Sequence, residues 1–272
     1  MRIRTSIHAG SLAVALAVTA CAQWPQNSGK PDLTAPTPRT PDGKPDFSGV
    51  WDAPRPGGGR GGAQAKGTPP PANPVPTDGP PLATFGNIAA NLKDPLPLQP
   101  WARELMEKRK ADNSKDNPDA HCLPMGLMQF HTHPMPRKII QTPKEMVIVY
   151  EANHGLRQIY LDGRPLPDKD AEPWWYGYSV GHWDGDTLVV ETTGYRDDVW
   201  LDVQGTPMTS AAKTIERFRR PNYGTVQIDV TIDDPKAYTK PFTIRVNHRL
   251  SADNELMEFI CQDRDASHYV GK

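Results

Sequence analysis

The chain has 272 residues, with 31 lysines and arginines against 32 aspartates and glutamates, and a formal net charge of −1. Because the basic residues are scattered and the net charge is close to zero, we expect no nucleic-acid partner. No GxSxG, SxxK, Walker or GxGxxG motif stands in a suitable context, which argues against serine hydrolases, nucleotide-binding enzymes and Rossmann folds.

The first 21 residues predict a lipoprotein signal peptide. Arg2 and Arg4 precede an apolar run at 12–18 that is too short to cross a bilayer as a helix. The sequence Val-Thr-Ala-Cys that ends at Cys21 resembles a bacterial lipobox, in which cleavage leaves the cysteine as a lipid-modified first residue. We therefore expect lipidation at Cys21 and an exported protein anchored by its lipid to the cell envelope, at the periplasmic face or the cell surface. An ordinary signal peptide and plain secretion are the alternative.

The front of the mature chain is predicted to be irregular. Residues 22–46 contain six prolines among small polar residues, which predicts an extended, poorly packing tether. We assign residues 47–272 to a single β-rich domain, in which the proline- and glycine-rich segment 54–81 is expected to be a disordered loop. Residues 99–111 predict one helix, because Pro100 lies in the first turn and apolar residues form a stripe.

Strand patterns fill the chain from residue 136 onward. In the clearest segments, 226–232 and 242–250, apolar and polar residues alternate, so each strand has one apolar face. Apolar runs between turn residues predict further strands at 138–142, 145–152, 157–161, 178–183, 187–193, 213–219 and 256–261. A meander of about nine short-linked strands must cover its apolar face, and closure into a barrel does so while removing edge strands. We therefore predict an all-β, mainly antiparallel up-and-down β-barrel with one N-terminal helix; a β-sandwich is the alternative.

The start of the β-rich domain carries a short resemblance to a known barrel superfamily. Gly49-Val50-Trp51 resembles the GxW signature with which lipocalin-like barrels open. The resemblance implies a lipocalin-like barrel in which Trp51 plugs one end. A core tryptophan beside a tight glycine explains the same three residues.

A more extensive resemblance covers roughly residues 41–265. The chain carries blocks that resemble those of a large group of exported bacterial proteins. The blocks are PDFSGVW (45–51), CLPMG (122–126), IQTP (140–143), LDGRP (161–165), GHWDGDTLVVETTG (181–194) and IERF (215–218). The resemblance implies export, and it supplies no catalytic residues because the group has no established reaction. The chain departs from the pattern of the group at the paired histidines His131 and His133.

Cysteine usage predicts one disulfide bond. Lipidation of Cys21 leaves Cys122 and Cys261 as the remaining pair in an oxidising compartment. A bond between them would close a long loop and contribute about 4 kcal/mol to stability. Two buried thiols that never meet are the alternative.

Three histidines form a candidate metal site. His131 and His133 are two residues apart, so an extended strand would place both rings on one side, and His121 is close in sequence. Neutral imidazoles bind divalent metals such as zinc or iron. The alternative is that these histidines only form hydrogen bonds.

Aromatic residues cluster before and within one predicted strand and form a candidate pocket. Ring faces with hydroxyl tips suit a small aromatic or sugar-like molecule, because stacking and hydrogen bonds act together. The candidate ligand-binding residues are Trp174, Trp175, Tyr176, Tyr178, Arg164 and Tyr238. Arg164 follows a turn and would bind a carboxylate, and Tyr238 lies in a loop that would form a rim. Structural packing of the same rings is the alternative.

Three functional hypotheses follow from these residues. In the first, a membrane-tethered barrel binds a small aromatic or sugar-like molecule in a pocket. In the second, the barrel is a hydrolase or lyase in which His182 or His154 acts as general base, with a carboxylate or a metal as electrophile. In the third, the chain is a structural lipoprotein of the envelope without a ligand.

Overall fold

The computed structural model describes residues 31–53 and 79–261. In this part of the chain nine strands form a closed barrel in sequence order. The strands are β1 (Gly49–Asp52), β2 (Arg137–Gln141), β3 (Glu145–Tyr150), β4 (Leu156–Tyr160), β5 (Tyr178–Asp184), β6 (Thr187–Thr193), β7 (Lys213–Asn222), β8 (Thr225–Asp233) and β9 (Phe242–Leu250). The helices are α1 (Pro100–Ala111) and α2 (Leu127–Thr132), with short 3₁₀ turns at Pro118–His121 and Ala152–His154.

The closed barrel confirms the predicted all-β fold and rules out the sandwich. Eight of the nine strand pairings are antiparallel, and β4 and β5 pair in parallel. The chain between them, residues 161–177, returns to the same end of the barrel before β5 begins. The barrel is therefore mixed, and this pair departs from a strictly up-and-down arrangement. The lipocalin-like arrangement remains a prediction.

The predicted strand at 256–261 is wrong. Residues 252–260 contain turns and irregular structure but no strand. The reason is that β9 already pairs with β1 through Trp51 and Asp52, which closes the barrel and leaves no edge for a tenth strand. This tail instead leads to Cys261, whose bond to Cys122 confirms the predicted disulfide.

The second half of the predicted tether lies against the barrel. Backbone N–H groups of Tyr223 and Gly224 donate to the carbonyls of Ala35 and Leu33, at 2.8 and 2.9 Å. Arg39 also forms a bidentate ion pair with Asp186 in the turn between β5 and β6. Residues 31–46 therefore depart from the prediction of an unpacked spacer, because the β7–β8 turn offers hydrogen-bonding partners.

Buried side chains of the described strands fill the barrel interior. Alternate residues of the strands point inward and are buried, in accordance with the two-residue period. Trp51 is fully buried, its Nε1 donates to the carbonyl of Phe47 at 2.9 Å, and the Arg220 guanidinium lies 4.8 Å from its ring centre. All six residues of α2 are buried, and Phe130 stacks on Tyr150 of β3 at 4.5 Å. Helix α2 therefore packs into the core, and it is the element that the sequence patterns missed.

Several predictions lie outside the described residues. They are the signal peptide at 1–21 with Cys21, the first part of the tether at 22–30, and all of the proline- and glycine-rich loop except its last three residues. Within the described ranges, no helix is long and apolar enough to cross a membrane.

Candidate functional site

A surface groove of about 610 Å³ lies beside the C-terminal half of α1. We call it the α1 groove. Its walls come from the last two turns of α1 and the turn after it, from the 3₁₀ turn near the disulfide, and from two short segments, one before β5 and one after β6. The lining residues are Leu105, Lys108, Arg109, Asp112, Ser114, Lys115, Asp116, Pro118, His121, Leu123, Trp175, Arg196, Asp197, Asp198 and Trp200.

Two tryptophan–arginine pairs line this groove. The Arg109 guanidinium lies 4.3 Å from the ring centre of Trp200, and the Arg196 guanidinium lies 4.6 Å from that of Trp175. Arg109 donates from Nη1 to the carbonyl of Gly205 at 2.9 Å. An arginine that packs over an indole ring loses part of its rotamer freedom, so each contact restrains its guanidinium before a ligand arrives.

The backbone of the neighbouring segments makes room for these contacts. Gly205 has a φ of +88°, which glycine adopts without strain, and a Cβ there would lie 2.7 Å from the side chain of Arg109. Pro100 begins α1, and Trp101 donates from Nε1 to the carbonyl of Lys236 at 2.9 Å. These contacts fix the helix, and with it Arg109, against the barrel.

The groove combines charges of both signs. Arg196 donates to Asp198 at 2.8 Å, and the Nε of Arg196 is buried without a hydrogen-bond partner in the described part of the chain. Burial lowers the pKa of Arg109 to about 10 against the opposing charge of Asp116, so the guanidinium stays charged at neutral pH. Ring faces next to oriented donors and carboxylates suit a small polar molecule with one flat face.

The disulfide supports one wall of the groove. Cys122 lies between two lining residues, His121 and Leu123, and has a φ of +58°. Its bond to Cys261 joins Cα atoms 5.6 Å apart and closes a separation of 139 residues. The bond therefore anchors this exposed wall to the C-terminal tail.

The structure divides the predicted aromatic cluster into three environments. Trp175 lines the α1 groove, whereas Tyr176 packs inward against Phe130 at 5.2 Å. Trp174 is 37% exposed and lies 5.2 Å from Tyr178, on the outer surface of the barrel. Only one member of the cluster thus reaches the groove, because consecutive residues in extended chain point to opposite sides.

Arg164 belongs to the outer aromatic surface. Its guanidinium donates to Asp162 at 2.7 Å and to the hydroxyl of Tyr178 at 3.2 Å, and it lies 3.8 Å from the ring centre of Tyr160. The hydrogen bond to Asp162 raises the pKa of Arg164. We predicted that Arg164 would bind the carboxylate of a ligand, but its guanidinium already forms an exposed ion pair with Asp162.

Tyr238 does not form a rim. It is 2% exposed, and its hydroxyl donates to the carbonyl of Pro207 at 2.7 Å. We predicted that Tyr238 would face a ligand, but the structure buries its side chain, because the loop that carries it folds back over the core.

The candidate metal histidines do not converge. His131 bonds through Nε2 to Glu216 Oε1 at 2.7 Å, whereas His133 Nδ1 accepts from the backbone N–H of Met135 at 3.1 Å. His121 is exposed and lies 2.9 Å from the carbonyl of Lys115. Among the described residues, no three histidine, cysteine or carboxylate side chains form a group that could hold a metal. The zinc or iron site remains a prediction without geometric support.

The predicted general bases also lie apart from the α1 groove. His154 is exposed in the 3₁₀ turn between β3 and β4, and His182 is exposed on the outer face of β5. Neither histidine lines the groove. The arrangement therefore brings no predicted base to this site.

A buried polar network inside the barrel was missed by the sequence patterns. Arg157 forms a bidentate ion pair with Glu216, and it also donates to Ser179 at 3.0 Å and Thr192 at 3.1 Å. Ion-pair atoms and hydroxyls thus satisfy one another in the centre of the barrel. The signal was present in the sequence, because alternation along β7 places Glu216 on the inward face between Thr214 and Phe218.

The network shifts the protonation of its members. Burial alone would raise the pKa of Glu216, but the charge of Arg157 and the hydrogen bond from His131 lower it to about 2. Burial lowers the pKa of His131, against the opposing effect of Glu216. His131 and Glu216 have side chains with 0% exposure, so the network is closed to solvent and stabilises the core.

Comparisons with known proteins identify no family for this chain. The chain matched no protein-family model, no curated protein and no solved structure.

Proposed function

We propose that this chain is an exported, membrane-tethered binding protein that holds a small aromatic or sugar-like molecule in the α1 groove. The observation that carries the proposal is the pair of tryptophan–arginine contacts, Trp175 with Arg196 and Trp200 with Arg109, in one groove of about 610 Å³. The volume is within the range of about 300–1,000 Å³ that is typical of small-molecule sites.

The chemistry of the groove supports this ligand class. The half-buried indole of Trp175 packs on the flat face of a sugar ring or an aromatic compound, and the arginine and aspartate side chains bind its hydroxyls or a carboxylate. Trp200 is only 3% exposed, so its part is to hold the Arg109 guanidinium in the groove. The fixed helix and the disulfide support binding further, because a preformed site loses little conformational entropy when a ligand binds.

The proposal also places the protein at the cell envelope. The signal-peptide pattern, the lipobox-like sequence at Cys21 and the resemblance to exported bacterial proteins support a lipid-anchored protein of the cell envelope. Residues 33–35 hydrogen-bond to the barrel, so this part of the predicted tether does not act as a free spacer.

A ligand screen with matched variants tests the proposal. Mature protein is screened by thermal shift against sugars, glycosides and aromatic acids, and each compound that raises the melting temperature is titrated by calorimetry. Trp175→Ala should weaken binding at least about tenfold, because it removes a ring that lines the groove. Trp174→Ala is the control, because it removes the adjacent indole on the outer surface and should leave affinity unchanged.

Two outcomes would contradict the proposal. The first is that no compound in these classes stabilises the protein, which would favour a structural envelope protein without a ligand. The second is that Trp174→Ala weakens binding as much as Trp175→Ala does, which would place the ligand on the outer aromatic surface.

A further inference from the structure

A second groove, of about 660 Å³, forms where three segments of the chain meet. The segments are residues 79–82, residues 91–97 and the chain from 240 to 245 at the start of β9. We call this site the proline groove. None of its lining residues lines the α1 groove, and no tryptophan lines it.

The walls of the proline groove are mostly apolar. Its apolar lining residues are Pro80, Pro81, Leu82, Leu92, Pro95, Pro97, Pro241 and Phe242. Leu82 is 45% exposed, which is high for a leucine beside a core. Proline has no backbone N–H, so five of these positions offer no backbone donor to a ligand. The proline positions therefore contribute apolar surface and no hydrogen-bond donors to the groove.

The groove is held in shape by hydrogen bonds between its segments. Arg245 donates its backbone N–H to the carbonyl of Pro81 at 2.8 Å and accepts from Ala83 at 2.9 Å. Asn91 donates from Nδ2 to the carbonyl of Leu82 at 2.7 Å. The Arg245 guanidinium is bound to Asp229 of β8, with Nη2 and Oδ2 3.0 Å apart. These contacts preform the walls, so binding requires little ordering of the chain.

The charges along the groove are unequal. Lys93 and Lys240 are exposed lining residues, and neither forms an ion pair within the described ranges. Asp94 is the one carboxylate among the lining residues. Two ammonium groups next to an apolar surface complement a molecule with an apolar body and a negative end.

We propose that the proline groove binds an amphiphilic anion, a small molecule with an apolar aliphatic or aromatic body and a single carboxylate or sulfonate. The apolar body packs on Leu82, Phe242 and the proline rings, which removes exposed apolar surface from water. The anionic group lies between Lys93 and Lys240. This site is separate from the α1 groove and does not depend on the function proposed for it.

Titration with 1-anilinonaphthalene-8-sulfonate, a fluorescent amphiphilic anion, tests the proposal on the full mature protein. Because the α1 groove is also proposed to bind aromatic acids, the titration is run in parallel on parent protein and on Trp175→Ala. We expect one saturable binding event that persists in Trp175→Ala. Combined Lys93→Glu and Lys240→Glu should weaken it at least tenfold, and Leu82→Ser should weaken it about threefold or more. All three positions are exposed, so the variants should keep the melting temperature of the parent protein.

Matched variants control for general effects of charge and apolar surface. Combined Lys138→Glu and Lys144→Glu makes the same charge change at exposed positions away from the groove, and Leu156→Ser removes a leucine that is 52% exposed on β4. Both controls should leave the affinity for the probe unchanged. Trp175→Ala should also leave it unchanged, which separates this site from the α1 groove.

Competition distinguishes the two types of apolar body. Decanoate and 1-naphthoate should both displace the probe, and the more effective of them identifies an aliphatic or an aromatic ligand. Decylammonium, which has the opposite charge, should not displace it. The proposal is overturned if the probe fails to bind, if the lysine and leucine variants bind as well as their controls, or if decylammonium competes as well as decanoate.

Discussion

Loss of the negative charge of Glu216 should destabilise the barrel more than any surface substitution. In Glu216→Gln, an amide –NH₂ faces the Arg157 guanidinium, which remains charged and buried in the core. Lowering the pKa of Glu216 from its ordinary value of 4.5 to about 2 corresponds to about 3 kcal/mol, at about 1.4 kcal/mol per pKa unit. Removal of one partner from a buried ion pair typically costs about 3–5 kcal/mol. We therefore expect the free energy of unfolding to fall by about 3–5 kcal/mol.

Urea unfolding followed by tryptophan fluorescence and circular dichroism measures this loss. Asp184→Asn is the matched control, because it neutralises a carboxylate in an exposed ion pair with Arg217 and should cost less than about 1 kcal/mol. The double variant Arg157→Met with Glu216→Leu should recover much of the stability, since it leaves no buried charge unpaired. Equal stability changes for Glu216→Gln and Asp184→Asn would refute the role given to the buried network.

Three further predictions concern pH, the disulfide and the lipid. Burial lowers the pKa of His131 in the folded state, so the unfolded chain binds a proton first as pH falls below about 6.5, and unfolding titrations should show the free energy of unfolding decreasing there. A further decrease should follow below about 4.5, where Glu216 is protonated in the unfolded state before it is in the folded state. A stability profile that is flat from pH 7 to 4 would contradict this prediction. Cys122→Ser with Cys261→Ser should lower the free energy of unfolding by about 2–5 kcal/mol, and unchanged stability would refute the contribution of the bond. Cys21→Ser should move the protein from the membrane fraction to the soluble fraction of cells and abolish incorporation of labelled fatty acid, and labelling that persists would exclude this lipidation site.

Much of the fold was predictable because its strands are half buried. Alternation with a period of two located β9 (Phe242–Leu250), and an apolar run between turn residues located β6 (Thr187–Thr193), both with their observed bounds. Helix α2 was not predictable in this way, because its six residues are all buried and too few to show an amphipathic period. The failed strand at 256–261 has apolar residues but no open edge to pair with, and an edge is a property of the complete barrel rather than of the local sequence.

The candidate site was predictable only in part. Trp175 and His121 were singled out from the sequence and lie in the α1 groove, although for His121 the predicted role was a different one. Arg109 and Trp200 were not singled out, because no local sequence pattern indicates that two residues 91 positions apart pack on each other. Their meeting depends on how α1 docks on the closed barrel and on the glycine at 205, which leaves space for the arginine.

The most direct test of a ligand in the α1 groove is the nuclear magnetic resonance spectrum of the indole N–H groups. Isotope-labelled protein is titrated with a compound selected by the thermal shift screen, and the signals are assigned by single tryptophan substitutions. We predict that the signals of Trp175 and Trp200 move with ligand concentration, whereas that of Trp51 in the barrel core stays unchanged. Movement confined to Trp174, or to no tryptophan at all, would contradict the proposed site.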